Sequence, residues 1–196
     1  MRKKLLFASA EWIAILMLLF LLYRENVFMT GAYSSEQAHQ QSESSYHYGP
    51  STIARKVTVP FDKDQVIFLG IYKEWFSADS VKKQRGGWFA GGGVAGVPIE
   101  RDKGLTFSWE GTSTGKRSEG LMMYKFYGYV SDETITAVEL LMKDAETGNP
   151  ETMRETITDD RMFLFLWQTK NARNDWQTLR GYDKEGNVVY EHSFLS

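Results

Sequence analysis

The chain begins with one long apolar segment and continues as short segments in which apolar and polar residues alternate. The long segment runs from Leu5 to Tyr23, and Glu11 is the one formally charged residue within it. A helix of these 19 residues would be about 28 Å long, close to the ~30 Å hydrocarbon thickness of a bilayer. The pattern therefore predicts a transmembrane helix, with residues 1–23 forming a cytoplasmic tip and a membrane anchor.

Glu11 is the main objection to a membrane anchor, because a carboxylate at mid-membrane costs about 2.5 to 3.5 kcal/mol. It lies off centre in the apolar segment, and eleven Leu, Ile and Phe residues offset its cost. Glu11 is then either an acid that reaches toward the interface or the partner of a positive charge on another membrane helix.

The charges that flank the apolar segment predict its orientation. Arg2, Lys3 and Lys4 precede it, so the positive-inside rule puts the N-terminus in the cytoplasm and the rest of the chain outside. The alternative is a signal peptide cleaved near the small residues 30–32, which would give a secreted protein. We favour a retained anchor, because the apolar run is long for a signal peptide and the small residues lie far beyond it.

Residues 24–52 are mostly polar and contain a run rich in Ser, Gln and Glu. Such a composition has little apolar surface to bury, so it predicts a disordered polar tether. Residues 53–196 are long enough for one domain with its own hydrophobic core, which we place outside the cytoplasm.

The pattern of the domain is that of β-strands. Residues 105–109 alternate apolar and polar side chains, as a half-buried strand does. Residues 162–167 are apolar on both faces, which predicts a central strand covered on each side. Two final strands, 176–182 and 188–194, flank residues 183–187, where glycine and asparagine favour a hairpin turn.

About seven or eight short strands separated by turns predict a mainly β fold, an antiparallel two-sheet sandwich. Residues 133–146 leave an alternative open, because Ile135, Val138 and Leu141 also fit a helical stripe. A helix there would make the fold α+β. The β-branched residues of the segment favour a strand.

The C-terminal hairpin, residues 180–190, resembles the closing hairpin of bacterial immunoglobulin-like domains, with an aspartate, a Gly-Asn turn and a following strand. The overall plan is similar to uncharacterised small single-pass extracytoplasmic proteins of Gram-positive bacteria. These resemblances imply an immunoglobulin-like sandwich and carry no catalytic residue over to this chain.

Composition excludes several kinds of chemistry. The chain has no cysteine, so disulfides, thiol catalysis and cysteine-ligated zinc are absent. A net charge of -2 gives no general attraction to nucleic acid. With three histidines in 196 residues, catalysis by a Ser/His/Asp set has little support. We expect a protein without enzymatic activity, metal or cofactor.

Two motifs resemble binding signatures, and we interpret both as structural. Gly91, Gly93 and Gly96 have the spacing of a dinucleotide-binding loop, but Pro98 follows at once where a helix would have to begin. We predict a loop here. His39, Glu43 and His47 are four residues apart, as metal ligands on a helix would be, but they lie in the predicted tether.

Exposed aromatic residues are the best candidates for a binding site. Trp88 and Phe89 lie between glycines, and Trp75 and Trp176 are near strand ends, where such residues can anchor partners or stack on sugars. We expect a membrane-anchored extracytoplasmic module that binds a protein partner near the membrane. A cell-wall glycan-binding domain and a hydrolase with paired carboxylates are the alternatives.

Overall fold

The computed structural model describes residues 11–21, 31–113, 121–144, 147–170 and 175–195. Residues 11–21 are helical (α1), and a second helix, α2, spans Ser35–Ser45. Within the described residues, no helix is both long enough and apolar enough to cross a bilayer. The two ends of the proposed anchor, Leu5 and Tyr23, lie outside the described residues, so the anchor stays a prediction.

Strands account for most of the described chain. They are β1 (Thr52–Val59), β2 (Asp62–Tyr72), β3 (Trp75–Gln84), β4 (Gly87–Ala90), β5 (Val97–Pro98), β6 (Leu105–Ser113), β7 (Met122–Val130), β8 (Ala137–Lys143), β9 (Pro150–Thr156), β10 (Met162–Thr169), β11 (Asp175–Tyr182) and β12 (Val188–Ser193). A single 3-10 turn, Arg101–Lys103, precedes β6. Neighbouring strands pair antiparallel throughout. The prediction of a mainly β, antiparallel fold is confirmed.

The described strands form three sheets, whereas the sequence pattern predicts two. Sheet A has the order β1-β2-β3-β4, with β5 paired to β3. Sheet B has the order β10-β7-β6, and sheet C has the order β12-β11-β8-β9. The sequence gives no sign of the extra sheet, because alternation along a strand does not say which sheet the strand joins.

Sheet B lies between the other two sheets, and both of its faces are buried. On one face, Met123 of β7 shares a hydrophobic core with Leu69 of sheet A. On the other face, Phe126 of β7 shares a second core with Leu140 of sheet C. The central strand of the molecule is therefore β7.

The strand β10 is covered on both faces, as its apolar sequence predicts. Met162 packs in the core between sheets A and B, and Phe163 packs in the core between sheets B and C. Its predicted central position is wrong, however, because β10 lies at the edge of sheet B.

Residues 133–144, the described part of the segment 133–146, do not form the helix that was the alternative. Ala137–Lys143 is the strand β8, paired with β9 on one side and β11 on the other. Asp132 accepts a hydrogen bond from the backbone N–H of Thr134 at 2.9 Å, and this contact closes a turn before the strand. Every second side chain of β8, such as Val138 and Leu140, is buried in the core shared with sheet B. This period of two is that of a strand and not of a helix.

The prediction of a disordered tether is wrong for residues 31–52. The helix α2 packs on sheet A, and its residues Ala38, His39 and Glu43 are buried. Ser34 caps the helix by accepting a hydrogen bond from the N–H of Gln37 at 3.1 Å. The polar segment folds because it meets two kinds of partner on sheet A that lie far away in sequence. Ala38 packs in a small apolar core with Phe68 and Val81, and His39 contacts the carboxylate of Asp79.

Candidate functional site

A partly enclosed cleft lies between two edge strands, β6 of sheet B and β12 of sheet C. Its volume is about 360 Å³. The residues that line it are Glu100, Lys103, Leu105, Thr106, Phe107, Tyr190 and His192. Such a cleft, apolar with a few polar groups at its rim, is the usual form of a binding site. We refer to it as the β6/β12 cleft.

Aromatic side chains form the wall of the cleft. The ring of Phe107 lies 5.2 Å from that of His192, and His192 lies 4.8 Å from Phe194, centroid to centroid. Both contacts are edge-to-face, the arrangement that aromatic pairs favour. The wall is therefore held by ring contacts between the two strands.

The aromatic surface continues beyond the cleft along β6. Trp109 is 52% exposed and packs edge-to-face on Trp176, with 5.1 Å between ring centroids. Trp176 in turn contacts Phe194, whose ring is 5.6 Å away. An exposed indole next to a cleft adds apolar contact area for a ligand.

Charged groups mark one end of the cleft. Lys103 pairs with Glu100 across one turn of the chain, and this hydrogen bond raises the pKa of Lys103. The backbone N–H of Glu100 donates to Thr106 Oγ1 at 3.0 Å. This hydrogen bond holds the segment of Glu100 and Lys103 against β6. Burial raises the pKa of Tyr190, and the charge of Lys103 opposes part of that rise.

The strand β12 has one paired edge and one open edge. It pairs with β11, and no described strand pairs with its other side. Val188 and Val189 at its start are 48% and 44% exposed. An apolar edge of this kind presents unpaired backbone N–H and C=O groups to which another extended chain can bind.

The four aromatic residues predicted as binding residues do not come together. Trp88 and Phe89 lie in β4, and Trp88 packs in a core beneath α2 instead of at an exposed loop tip. Trp75 is exposed at the start of β3. Trp176 is in β11, beside the β6/β12 cleft.

The residues that line the cleft are not predicted from the sequence. Phe107 lies in the strand predicted at residues 105–109, and His192 lies in the strand predicted at residues 188–194. Nothing in the local sequence places these two residues in contact, because they belong to different sheets. The one available signal was the high aromatic content of the two strands.

Two acidic residues that a paired-carboxylate hydrolase could use, Glu110 and Asp160, form ion pairs. Glu110 Oε2 lies 2.7 Å from the buried Nζ of Lys125. Asp160 Oδ2 lies 2.9 Å from Nε of Arg55. Burial raises the pKa of Asp160, but hydrogen bonds from Arg55, Met162 and Thr158 outweigh it and leave the pKa below its ordinary value.

Across the described ranges, no group of three His, Cys, Asp or Glu side chains is arranged to hold a metal ion. No protein-family model matches the chain, and neither a curated protein nor a solved structure matches it. Function is therefore inferred from the geometry of the chain itself.

Proposed function

We propose that this chain is a membrane-anchored, extracytoplasmic module without catalytic activity that binds a protein partner. The partner contributes an extended segment, which adds to sheet C along the open edge of β12. The observation that carries this proposal is the open, apolar edge of β12 beside the β6/β12 cleft. Backbone hydrogen bonds supply affinity in this mode of binding, and pockets for alternate side chains supply specificity.

The geometry of β12 would allow one bound strand to use both the backbone of the edge and the side-chain pocket of the cleft. Tyr190 and His192, two residues apart, both line the cleft. A strand added beside β12 would likewise place every second side chain on the cleft side. The aromatic wall favours apolar side chains at those positions, and Glu100 with Lys103 favours a polar group at the end.

The strand order of sheets B and C supports an immunoglobulin-like sandwich with the chain running in the opposite direction. In the constant-type immunoglobulin fold, four strands have the order A-B-E-D and three have the order C-F-G. Sheet C (β12-β11-β8-β9) and sheet B (β10-β7-β6) have these orders when β12 is taken as the first strand and β6 as the seventh. In this scheme the first and last strands are β12 and β6, the two that border the cleft.

Selection of peptides tests the proposed binding mode. The full chain in detergent is presented to a phage library of random 12-residue peptides. We expect selected peptides to have apolar residues at alternate positions and to protect the amides of Val188–Ser193 from hydrogen exchange. Val189→Lys puts a charge on the edge and should weaken binding by at least about tenfold, since charged edge residues block strand addition.

Matched variants separate the edge from other surfaces. Thr152→Lys places the same charge on the opposite edge strand of sheet C, β9, and should leave peptide affinity unchanged. Trp75→Ala should also have no effect. If selected peptides bind equally well to the Val189→Lys variant, the proposed mode of binding is wrong.

The aromatic wall also favours a second candidate, a cell-wall glycan, because sugar rings stack on aromatic faces. Isolated cell wall would then retain the full chain. Tyr190→Ala would abolish this retention, whereas Val189→Lys would not, since a glycan does not pair with a strand edge. This contrast distinguishes the two ligand classes.

A further inference from the structure

Two hairpin turns of sheet A lie side by side at one end of the sheet. Residues 60–61 connect β1 to β2, and residues 85–86 connect β3 to β4. Gln65 of β2 pairs with Lys82 of β3, which puts both turns at the same end. An ion pair of 2.7 Å between Lys82 Nζ and Asp62 Oδ2 joins the two strands there.

The described chain also reaches the sheets at this end. The N–H of Gly31 donates to the C=O of Gly86 at 2.9 Å, and Tyr33 follows just before α2 begins. Seven residues, 24–30, separate Gly31 from Tyr23, the predicted end of the anchor. We refer to residues 31–33, 60–64 and 83–87 together as the entry end of sheet A.

Two aromatic rings at the entry end are exposed to solvent. Tyr33 is 97% exposed, and Phe61 in the β1–β2 turn is 38% exposed. A tyrosine ring has an apolar body and a polar tip, and such rings are enriched where lipid headgroups meet the acyl chains. The two rings therefore suit a boundary between water and lipid.

The entry end also carries basic side chains. Lys63, Lys83 and Arg85 are exposed, and none of them forms an ion pair with another residue that the structure describes. Asp62 is held in the ion pair that joins β2 and β3, so Asp64 is the acidic group that remains to oppose them at the entry end. The entry end thus has a local excess of positive charge, although the whole chain has a net charge of -2.

We propose that the entry end of sheet A lies against the membrane that holds the anchor and binds anionic lipid headgroups there. This contact depends on the anchor of the proposed function, which keeps the entry end close to the bilayer. The basic side chains contact lipid phosphates, and the two aromatic rings reach the boundary with the acyl chains. Each basic residue close to an anionic surface strengthens the attraction by about fivefold.

Fluorophores at the two ends of β3 test this contact, since the chain has no cysteine of its own. Gln84→Cys labels the entry end and keeps all of its charges, whereas Glu74→Cys labels the exposed turn before β3. The ten residues of β3 separate the two labels by about 33 Å. The full chain is incorporated into phosphatidylcholine nanodiscs in which about one third of the lipid is phosphatidylglycerol, an anionic lipid.

Two readouts separate anchoring from contact with the lipid. Co-elution of the chain with the nanodisc reports the anchor, and quenching of each fluorophore by a lipid with a nitroxide in its headgroup reports how close each end lies. We expect quenching at position 84 to exceed that at position 74 by at least about threefold. The excess should fall at about 0.5 M salt, which screens exposed charges, while co-elution persists.

Charge reversal identifies the basic residues as the cause. Lys83→Glu combined with Arg85→Glu should lower quenching at position 84 by at least about twofold and leave co-elution unchanged. The matched control combines Lys143→Glu with Lys184→Glu, two exposed residues of the strands and turns of sheet C. The control has the same change in net charge and should quench as the unsubstituted chain does.

The failure of the anchor and the failure of the contact give different results. A chain that does not co-elute with the nanodisc has no anchor, and this contact is then wrong together with the proposed anchoring. A chain that co-elutes but is quenched equally at positions 74 and 84 keeps its anchor and overturns the contact. Unchanged quenching in the charge-reversed variant would also overturn it, because nearness would then come from the short connection alone.

Discussion

At the scale of residues, the buried Lys125 connects two sheets. Its Nζ donates to the backbone C=O of Ala78 and, at 3.0 Å, to Ser80 Oγ, both in sheet A. Its carboxylate partner is Glu110 of β6 at 2.7 Å, which keeps about a third of its side chain in solvent. The two members of the pair are thus unequal, because one is fully buried and the other is not.

Loss of Glu110 should cost more stability than loss of Lys125. Glu110→Ala leaves a buried ammonium without a counter-charge and should lower the free energy of unfolding by about 2 to 4 kcal/mol. Lys125→Met leaves a carboxylate that water can reach and should cost less than about 1.5 kcal/mol. Urea unfolding of both variants measures the difference, and equal losses would contradict this account.

At the scale of elements, the C-terminal hairpin follows from its local sequence. Gly186 has φ of 87°, and the N–H of Asn187 donates to Asp183 Oδ1 at 2.8 Å. This turn sets the register in which Gly181 faces Tyr190. Tyr190 lines the β6/β12 cleft, so the turn also positions one of the walls of the cleft.

Gly186→Ala should lower the free energy of unfolding by about 1 to 2 kcal/mol, the cost of a side chain at positive φ. A Cβ at this position would have no atom within 4 Å, so no steric contact adds to the backbone cost. Glu185→Ala is the matched control and should change stability by less than about 0.5 kcal/mol. A neutral Gly186→Ala variant would show that the turn tolerates another conformation.

Local pattern predicted the elements well where burial alternates along the chain. The strand β8 is an example, although its residues also fit a helical stripe. The hairpin of β11 and β12 is predicted instead from the glycine and asparagine of its turn. The helix α2 escaped prediction because His39 is stabilised by Asp79, forty positions away, and a single sequence carries no sign of that pairing. The β6/β12 cleft escaped for the same reason, since its two walls come from different sheets.

At the scale of the whole molecule, the membrane anchor is known only as a prediction from the sequence, whereas the arrangement of the sheets is known only from the structure. The anchor is predicted from the length and apolar composition of residues 5–23 alone, without any contact to the sheets. The three stacked sheets occupy the rest, and their order could not be read from alternation alone.

Surface labelling tests the predicted topology. Ser113→Cys lies at an exposed position at the end of β6. A membrane-impermeant maleimide should label this variant on intact cells at full length. A labelled product about 3 kDa smaller would mean that the apolar segment is a cleaved signal peptide. Labelling that appears only after lysis would contradict an extracytoplasmic domain.

Among the described residues, the first that bond to the sheets are Gly31 and Ala32, and they would limit where an anchored domain could meet a partner. Gly31 N–H donates to the C=O of Gly86 at 2.9 Å, and Ala32 pairs with Trp88. If the anchor ends at Tyr23, residues 24–30 join it to the fold and reach at most about 25 Å. Partners fixed in the same membrane would then meet the domain at a high effective concentration, so even weak strand pairing would suffice to hold them.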